Sequence, residues 1–121
     1  MKKWHRSRSF FEALAFALRG VATAILRERN VRIQLFIGTI ILFIMALLRI
    51  SLINIAVGAV VIMLVLAFEM MNTSIELIAD IVHPKYSIVV RNAKDIAAGA
   101  VLVVTIAACI IGVLIFIPNL F

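Results

Sequence analysis

The sequence predicts an all-α integral membrane protein with three transmembrane helices and an amphipathic surface helix near its N-terminus. Composition gives two reasons: 65% of the 121 residues are hydrophobic and only 15% are charged, whereas soluble domains are about 45–50% apolar and about 25% charged. The third reason is the order of the residues, because three long apolar stretches follow a basic arm. We therefore expect residues 1–121 to form one membrane domain without a separate catalytic module.

The basic arm has the periodicity of an amphipathic helix over about residues 8–28. Four aliphatic side chains share one stripe of that helix: Leu14, Leu18, Val21 and Ile25. The opposite face is polar, which is typical of a helix lying in the cytoplasmic interface of a membrane. Two side chains interrupt the pattern. Phe16 lies on the polar side, as a membrane anchor or a stacking platform, and Glu28 lies on the apolar side, as an ion-pair partner of Arg29 or a functional acid.

The three apolar stretches are each near the ~20 residues that cross the ~30 Å hydrocarbon layer. We predict three membrane helices, at about 33–48, 52–82 and 91–117. The first two are expected to form a tight hairpin, because only Arg49 and Ser51 interrupt the apolar sequence between them. Pro84 disfavours helical geometry at the residue before it, so the second helix is predicted to end near Val82. Pro118 is predicted to end the third helix in the same way.

The basic residues predict the orientation of the helices. Eight lysines and arginines precede the first predicted span, the first loop contains only Arg49, and the residues after the third span contain none. The positive-inside rule therefore predicts a cytoplasmic N-terminus and second loop, with the C-terminus outside. The net charge of +6 is best explained by attraction to anionic lipid headgroups, and no nucleic-acid partner is expected.

The cytoplasmic end of the second span carries polar side chains at helical spacing. Four of them share one helical face at intervals of three, four and four residues: Glu69, Asn72, Glu76 and Asp80. Ionisable residues within a span are costly and usually face a bundle interior or a wet cavity. Because these carboxylates repel one another, they require a divalent metal or basic neighbours, for which Arg91 and Lys94 are the nearest candidates; taken alone, that pair could equally be signals of topology.

The residues on this face have the chemistry that phosphoryl transfer requires. An oxygen donor set without histidine or cysteine suits Mg²⁺, which commonly uses one or two carboxylates together with substrate phosphates. Lys94 adds a compact positive charge for a polyphosphate, and a carboxylate can orient or deprotonate an attacking hydroxyl. The sequence has no glycine-rich phosphate loop, so it predicts neither a P-loop enzyme nor a protein-kinase-like one.

Two other classes of function compete with a kinase. A small proton-coupled multidrug efflux transporter would need one intramembrane carboxylate, such as Glu69, but it gives no reason for Asn72, Glu76 and Lys94 to cluster. A membrane scaffold would carry these acids as an incidental solvated helix end, and would show no saturable binding of MgATP. We rank these hypotheses in the order kinase, transporter, scaffold.

The sequence resembles the prokaryotic diacylglycerol kinase family over nearly its whole length. The resemblance rests on three blocks: Glu28-Arg29-Asn30, then Glu69 with Asn72-Thr73-Ser74-Ile75-Glu76 and Asp80, then Ala93-Lys94-Asp95 with Ala97-Ala98-Gly99-Ala100-Val101-Leu102. The first block and the ending Gly112-Val113-Leu114-Ile115-Phe116-Ile117-Pro118 are similar to the Gram-positive branch, whose members act as undecaprenol kinases. The resemblance implies a homotrimer in the bacterial cytoplasmic membrane, with sites shared between neighbouring subunits. It also implies transfer of phosphate from MgATP to a membrane lipid alcohol, undecaprenol in preference to diacylglycerol.

The resemblance also assigns roles to particular residues. It implies that Glu69 is the general base, and that Glu28 and Glu76 bind Mg²⁺. The implied nucleotide-binding positions are Arg8, Phe16, Asn72, Tyr86, Lys94 and Asp95. At the first of these, either Arg8 or the adjacent Ser9 takes the basic contact of the family. The lipid substrate is implied to lie against Glu69, Ala98 and Gly99.

Overall fold

The computed structural model describes residues 9–121, which form four helices. They are α1 (Phe10–Arg27), α2 (Arg29–Leu47), α3 (Leu52–Val82) and α4 (Ile88–Leu120). Helices α2, α3 and α4 are each long and apolar enough to cross a membrane, and most of their exposed side chains are aliphatic or aromatic. The prediction of an all-helical fold with three helices long and apolar enough to span a membrane is therefore confirmed.

Helix α1 begins at a side-chain cap and ends at a sharp break in the backbone. The Ser9 hydroxyl accepts the Glu12 N–H at 3.1 Å, which satisfies one of the unpaired donors of the first turn. Glu28 then has extended backbone angles, φ −105° and ψ 112°, and serves both as C-cap of α1 and as N-cap of α2. We call this break the elbow. No residue of α1 is buried, and the position of α1 on a membrane surface stays a prediction.

The turn between α2 and α3 is short because one residue adopts a left-handed conformation. Arg49 has φ 55°, a region that residues with a side chain seldom occupy. Ser51 then caps α3, and its hydroxyl accepts the Asn54 N–H at 3.3 Å. Ile50, between them, points inward and is only 4% exposed. Burial of this side chain fixes the turn against the helices.

The apolar core lies at the hairpin end of the molecule, beside the turn between α2 and α3. Met45, Ile50 and Ile115 form it, and each is at most 8% exposed. Farther along the pair, α2 and α3 approach closely, since a Cβ atom on Gly38 would lie 2.6 Å from Ile62 Cγ2. Glycine permits this approach because it has no Cβ atom. Small residues allow similarly close contacts between other membrane helices. The antiparallel α2 and α3 therefore reach the elbow end side by side.

The ends of α3 and α4 differ in how they respond to proline. Helix α3 stops at Val82, two residues before Pro84. Helix α4, however, continues through Pro118 to Leu120, so the prediction that Pro118 ends it was wrong. Pro118 removes one N–H donor from the last turn, and only two residues of α4 follow it. The side chain of Asn119 also donates to the Ile115 carbonyl at 2.7 Å, which satisfies an acceptor near the helix end.

Candidate active site

Glu69 is the centre of a polar cluster between α2 and α3. Its side chain is only 7% exposed. Asn30 Nδ2 lies 3.5 Å from Glu69 Oε1, and Gln34 Nε2 lies 3.4 Å from Oε2. These two amides are one helical turn apart on α2, so each contacts a different carboxylate oxygen. Because both donors are neutral and the distances are long, the carboxylate is held by two weak hydrogen bonds and not by an ion pair.

Gln34 is a member of this polar cluster that the sequence analysis did not identify. Its Oε1 atom is buried and has no hydrogen-bond partner within residues 9–121. A buried acceptor without a partner costs about 1–3 kcal/mol, so an incoming donor is favoured there. The signal that could have revealed Gln34 is an amide inside an apolar span, four residues after Asn30 and therefore on the same face.

Asn72 and Glu76 continue the polar face of α3 beyond Glu69. Asn72 is 9% exposed, and its Nδ2 donates to Glu76 Oε1 at 3.3 Å. The Asn72 Oδ1 atom is buried and unpaired in the part of the chain that the structure describes. Glu76 lies two helical turns from Glu69, about 10 Å along the axis. The face thus holds two carboxylates with an unsatisfied amide oxygen between them.

The C-terminal end of α3 and the N-terminal end of α4 are joined by an ion pair. Lys94 Nζ lies 2.5 Å from Asp80 Oδ1, so Asp80 gains a partner across the two helices. One turn earlier on α4, Arg91 lies 3.8 Å from Asp95 and donates to the Tyr86 hydroxyl at 3.4 Å. Three of the charged side chains are more than half exposed and that of Lys94 is about one-third exposed, and exposed pairs contribute only about 0–1 kcal/mol to stability.

An apolar groove begins at the polar cluster and runs between α2, α3 and α4. Its volume is about 430 Å³, within the range of about 300–1,000 Å³ that is common for ligand pockets. Gln34 lines one end and Met45 lies farther along α2, a span of about 16 Å. Apart from Gln34 and Thr105, the lining side chains are apolar or small. The groove therefore gives hydrocarbon a path to the residue that contacts Glu69.

Comparison with known sequences decides the family. The sequence model of the prokaryotic diacylglycerol kinases matches residues 15–116. The chain belongs to this family. A Synechocystis protein named diacylglycerol kinase is 36% identical over 118 residues, which are 97% of this chain and 67% of that protein. A Bacillus subtilis protein named undecaprenol kinase is 34% identical over 120 residues, which are 98% of each chain.

The family and the fold together make this chain a multi-pass membrane protein and a lipid kinase. The resemblance noted in the sequence is thereby confirmed, as is the prediction of an enzyme. Nothing in these matches supports the efflux transporter. The roles of individual residues stay predictions, and the structure gives only their positions.

The structure brings part of the predicted site of the kinase together. Of the predicted residues, Asn72 is bonded to Glu76. Glu69 contacts Gln34 and Lys94 contacts Asp80, and neither of these two partners had a predicted role in the site. Asp95 and Tyr86 lie near the start of α4, both linked to Arg91, and Tyr86 is 77% exposed.

The remaining predicted positions are more scattered. Glu28 lies at the elbow and is half-buried. On α1, the Arg19 guanidinium lies 5.6 Å from the centre of the Phe16 ring, a cation–π distance. Arg8 lies outside the described residues. The lipid positions Ala98 and Gly99 lie on α4, where a Cβ atom on Gly99 would meet nothing within 4 Å.

Proposed function

We propose that this kinase transfers the γ-phosphoryl group of MgATP to the hydroxyl of a membrane lipid alcohol, with Glu69 as general base. The observation that carries the proposal is the buried Glu69 carboxylate, held by the α2 amides beside the end of an apolar groove. A base in this position can meet an alcohol that arrives from the bilayer. The same face of α3 continues toward Glu76, which in this proposal leads to the cytoplasmic side, where nucleotide is present.

The acceptor half of the reaction uses Glu69 and Gln34. The hydrocarbon chain of the alcohol lies in the groove, and its hydroxyl reaches the buried Gln34 Oε1 and the Glu69 carboxylate. Glu69 takes the hydroxyl proton as the oxygen attacks the γ-phosphorus. The bond from that phosphorus to the β,γ-bridging oxygen breaks, and ADP leaves. General base catalysis of this kind typically contributes about 10²–10⁴ in rate.

Mg²⁺ fits the donor set at the other end of the face. Asn72 Oδ1 is a buried oxygen without a partner, and the Glu76 carboxylate adjoins it. Residues 9–121 contain no cluster of three or more acid, histidine or cysteine side chains that could hold a metal alone. Mg²⁺ does not need such a cluster when phosphates complete its coordination. In our proposal Glu28 and Glu76 hold the ion, which when bound neutralises charge on the phosphate oxygens.

The nucleotide is proposed to lie over the cytoplasmic ends of α1, α3 and α4. Lys94 offers its charge to the phosphates, since its side chain is about one-third exposed while paired with Asp80. Asp95, Tyr86, Asn72, Phe16 and the basic Arg8 complete the set that the family resemblance implies. We propose that the enzyme is a homotrimer with sites shared between neighbours, and that the N-terminus is cytoplasmic and the C-terminus outside, as the distribution of basic residues supports.

Undecaprenol is the substrate that we favour over diacylglycerol. The relative named undecaprenol kinase is matched over 98% of its length, whereas the one named diacylglycerol kinase is matched over 67%. The test is transfer of label from γ-labelled ATP to each lipid by the purified protein in one detergent. The proposal predicts Mg²⁺-dependent transfer with the higher kcat/KM for undecaprenol. A higher value for diacylglycerol would reverse the substrate assignment, and no transfer to either lipid would refute the proposed reaction.

A further inference from the structure

Arg32 bridges the elbow between α1 and α2. It lies in the first turn of α2, yet its Nη1 donates hydrogen bonds to the carbonyls of Ile25 and Leu26, both at 2.9 Å. These carbonyls belong to the last turn of α1, which ends at Arg27. The terminal carbonyls of a helix have no intrahelical N–H partner. The Arg32 side chain therefore caps a helix other than its own.

The capping bonds of Arg32 are stronger than the other contacts at this end. A cation at a helix C-terminus is favoured by the helix dipole, and a charged donor makes a stronger hydrogen bond than a neutral one. The backbone N–H of Arg32 also donates to the Glu28 carbonyl at 3.2 Å. Arg32 thus holds the elbow residue from one side through its backbone and the end of α1 through its side chain.

Apart from Arg32, the contact that fixes Glu28 is its backbone N–H, which donates to the Ala24 carbonyl at 2.9 Å. Its backbone is extended, and its side chain makes no capping hydrogen bond to α2. Two residues later, Asn30 contacts Glu69, which anchors the start of α2 to α3 independently of Arg32. The direction of α1 and the placement of Glu28 depend on the elbow, whereas the contacts of Asn30 and Gln34 with Glu69 do not.

We propose that Arg32 is a positioning residue that sets the elbow and thereby the position of Glu28 for Mg²⁺ and nucleotide. This inference rests on the proposed function, in which Glu28 is a metal ligand. Arg32 touches neither substrate, and it acts through Glu28 and through α1. Its loss weakens the nucleotide half of the site and leaves the acceptor half, at Glu69 and Gln34, in place.

The test is Mg²⁺-dependent binding of a non-hydrolysable ATP analogue to the full-length protein in detergent. Arg32→Met is expected to weaken binding about tenfold, since it removes two charge-assisted bonds, and to change the KM for the lipid alcohol by less than about twofold. Arg32→Lys is expected to lie between, because lysine keeps the charge but is more strongly hydrated and less preorganised than the guanidinium. Arg27→Met removes the same charge from the last turn of α1, and unchanged binding is expected.

A double-mutant cycle with Glu28→Gln identifies the route of the effect. If Arg32 acts through Glu28, Arg32→Met causes no further loss of Mg²⁺-dependent binding in the Glu28→Gln background. Full additivity of the two losses would overturn the inference, as would unchanged binding in Arg32→Met. If Arg32→Met does not purify with wild-type helix content, Arg32→Lys decides: weaker binding supports the inference and wild-type binding overturns it. Failure of the wild-type protein to phosphorylate any lipid would refute the proposed function instead.

Discussion

The two ends of the helix bundle differ in the polarity of the side chains that they bury. At the hairpin end, Met45, Ile50 and Ile115 pack an apolar core. At the elbow end, the buried side chains are the polar Glu69 and Asn72 together with the apolar Val31, and one acceptor atom of Asn72 is unsatisfied in the described chain. Buried polar groups without partners destabilise a fold. The comparison indicates that the hairpin end supplies stability, while the elbow end retains unfavourable groups that a bound substrate can satisfy.

The largest expected effect comes from removing the base at the elbow end. Glu69→Gln keeps the shape of the side chain but cannot accept a proton. We expect turnover to fall by about 10²–10⁴, with binding of the ATP analogue within about twofold of wild type. Label transfer and nucleotide titration measure the two quantities separately. Full activity of this variant would remove Glu69 from the proposed role and would erase the functional contrast between the two ends.

A matching change at the hairpin end should affect stability and spare the chemistry. Ile50→Ala removes a side chain that is 4% exposed, and such truncations cost about 2–5 kcal/mol of unfolding free energy. Denaturant titration in detergent measures the loss, and Ile53→Ala is the control because Ile53 is 77% exposed. We expect the KM for MgATP to be unchanged in the folded fraction. A large rise in that KM would show that the two ends are not separable.

Glu76→Gln sharpens the comparison within the polar face. The substitution removes a carboxylate two turns from Glu69 while retaining an oxygen that the Asn72 amide can reach. We expect the Mg²⁺ concentration for half-maximal nucleotide binding to rise about 10–100-fold. Loss of a group that supports a bound metal typically lowers metal affinity by this factor. Titration of Mg²⁺ at fixed analogue concentration measures it. An unchanged Mg²⁺ requirement would contradict the assignment of Glu76 to the metal.

The smallest effect is expected at the junction of the polar cluster and the groove. Gln34→Met retains the length of the side chain but removes both its weak donation to Glu69 and its unpaired acceptor. We expect kcat to fall about three- to tenfold, the scale of one neutral hydrogen bond, without a change in nucleotide affinity. Thr39→Val is the control, since that hydroxyl donates to the Leu35 carbonyl of its own helix. Wild-type kcat in Gln34→Met would show that Gln34 has no part in the reaction.

The general fold could be predicted because it depends on local properties of the sequence, namely the length of apolar stretches and the spacing of polar residues. Apolar length predicts membrane helices, and helical spacing places Glu69, Asn72 and Glu76 on one face. Contacts between helices could not be predicted in this way. The Gln34–Glu69 contact joins positions 35 residues apart, and the spacing of acids indicated Arg91 or Lys94 as their cationic neighbours without giving the Asp80–Lys94 pair.

Local backbone chemistry explains the remaining differences. Helix α2 starts at Arg29, four residues before the predicted span at 33, because the extended backbone of Glu28 ends α1 there. Arg32 of α2 then satisfies the carbonyls that α1 leaves unpaired. Pro118 was predicted to stop α4, but the helix continues for two residues beyond it, and the Asn119 side chain donates to a carbonyl of the last turn. Neither effect can be derived from apolar length, since each depends on where a particular donor finds an acceptor.

The central claim is that the amide-held carboxylate of Glu69 faces the alcohol that is phosphorylated. An experimental structure of the assembled enzyme with a non-hydrolysable MgATP analogue and the lipid alcohol tests it most directly. We predict that the lipid hydroxyl oxygen lies within about 2.6–3.2 Å of a Glu69 carboxylate oxygen. The carboxylate and the γ-phosphate are expected on opposite sides of that hydroxyl. A hydroxyl bound elsewhere, with Glu69 turned toward acyl chains and away from the nucleotide, would contradict it.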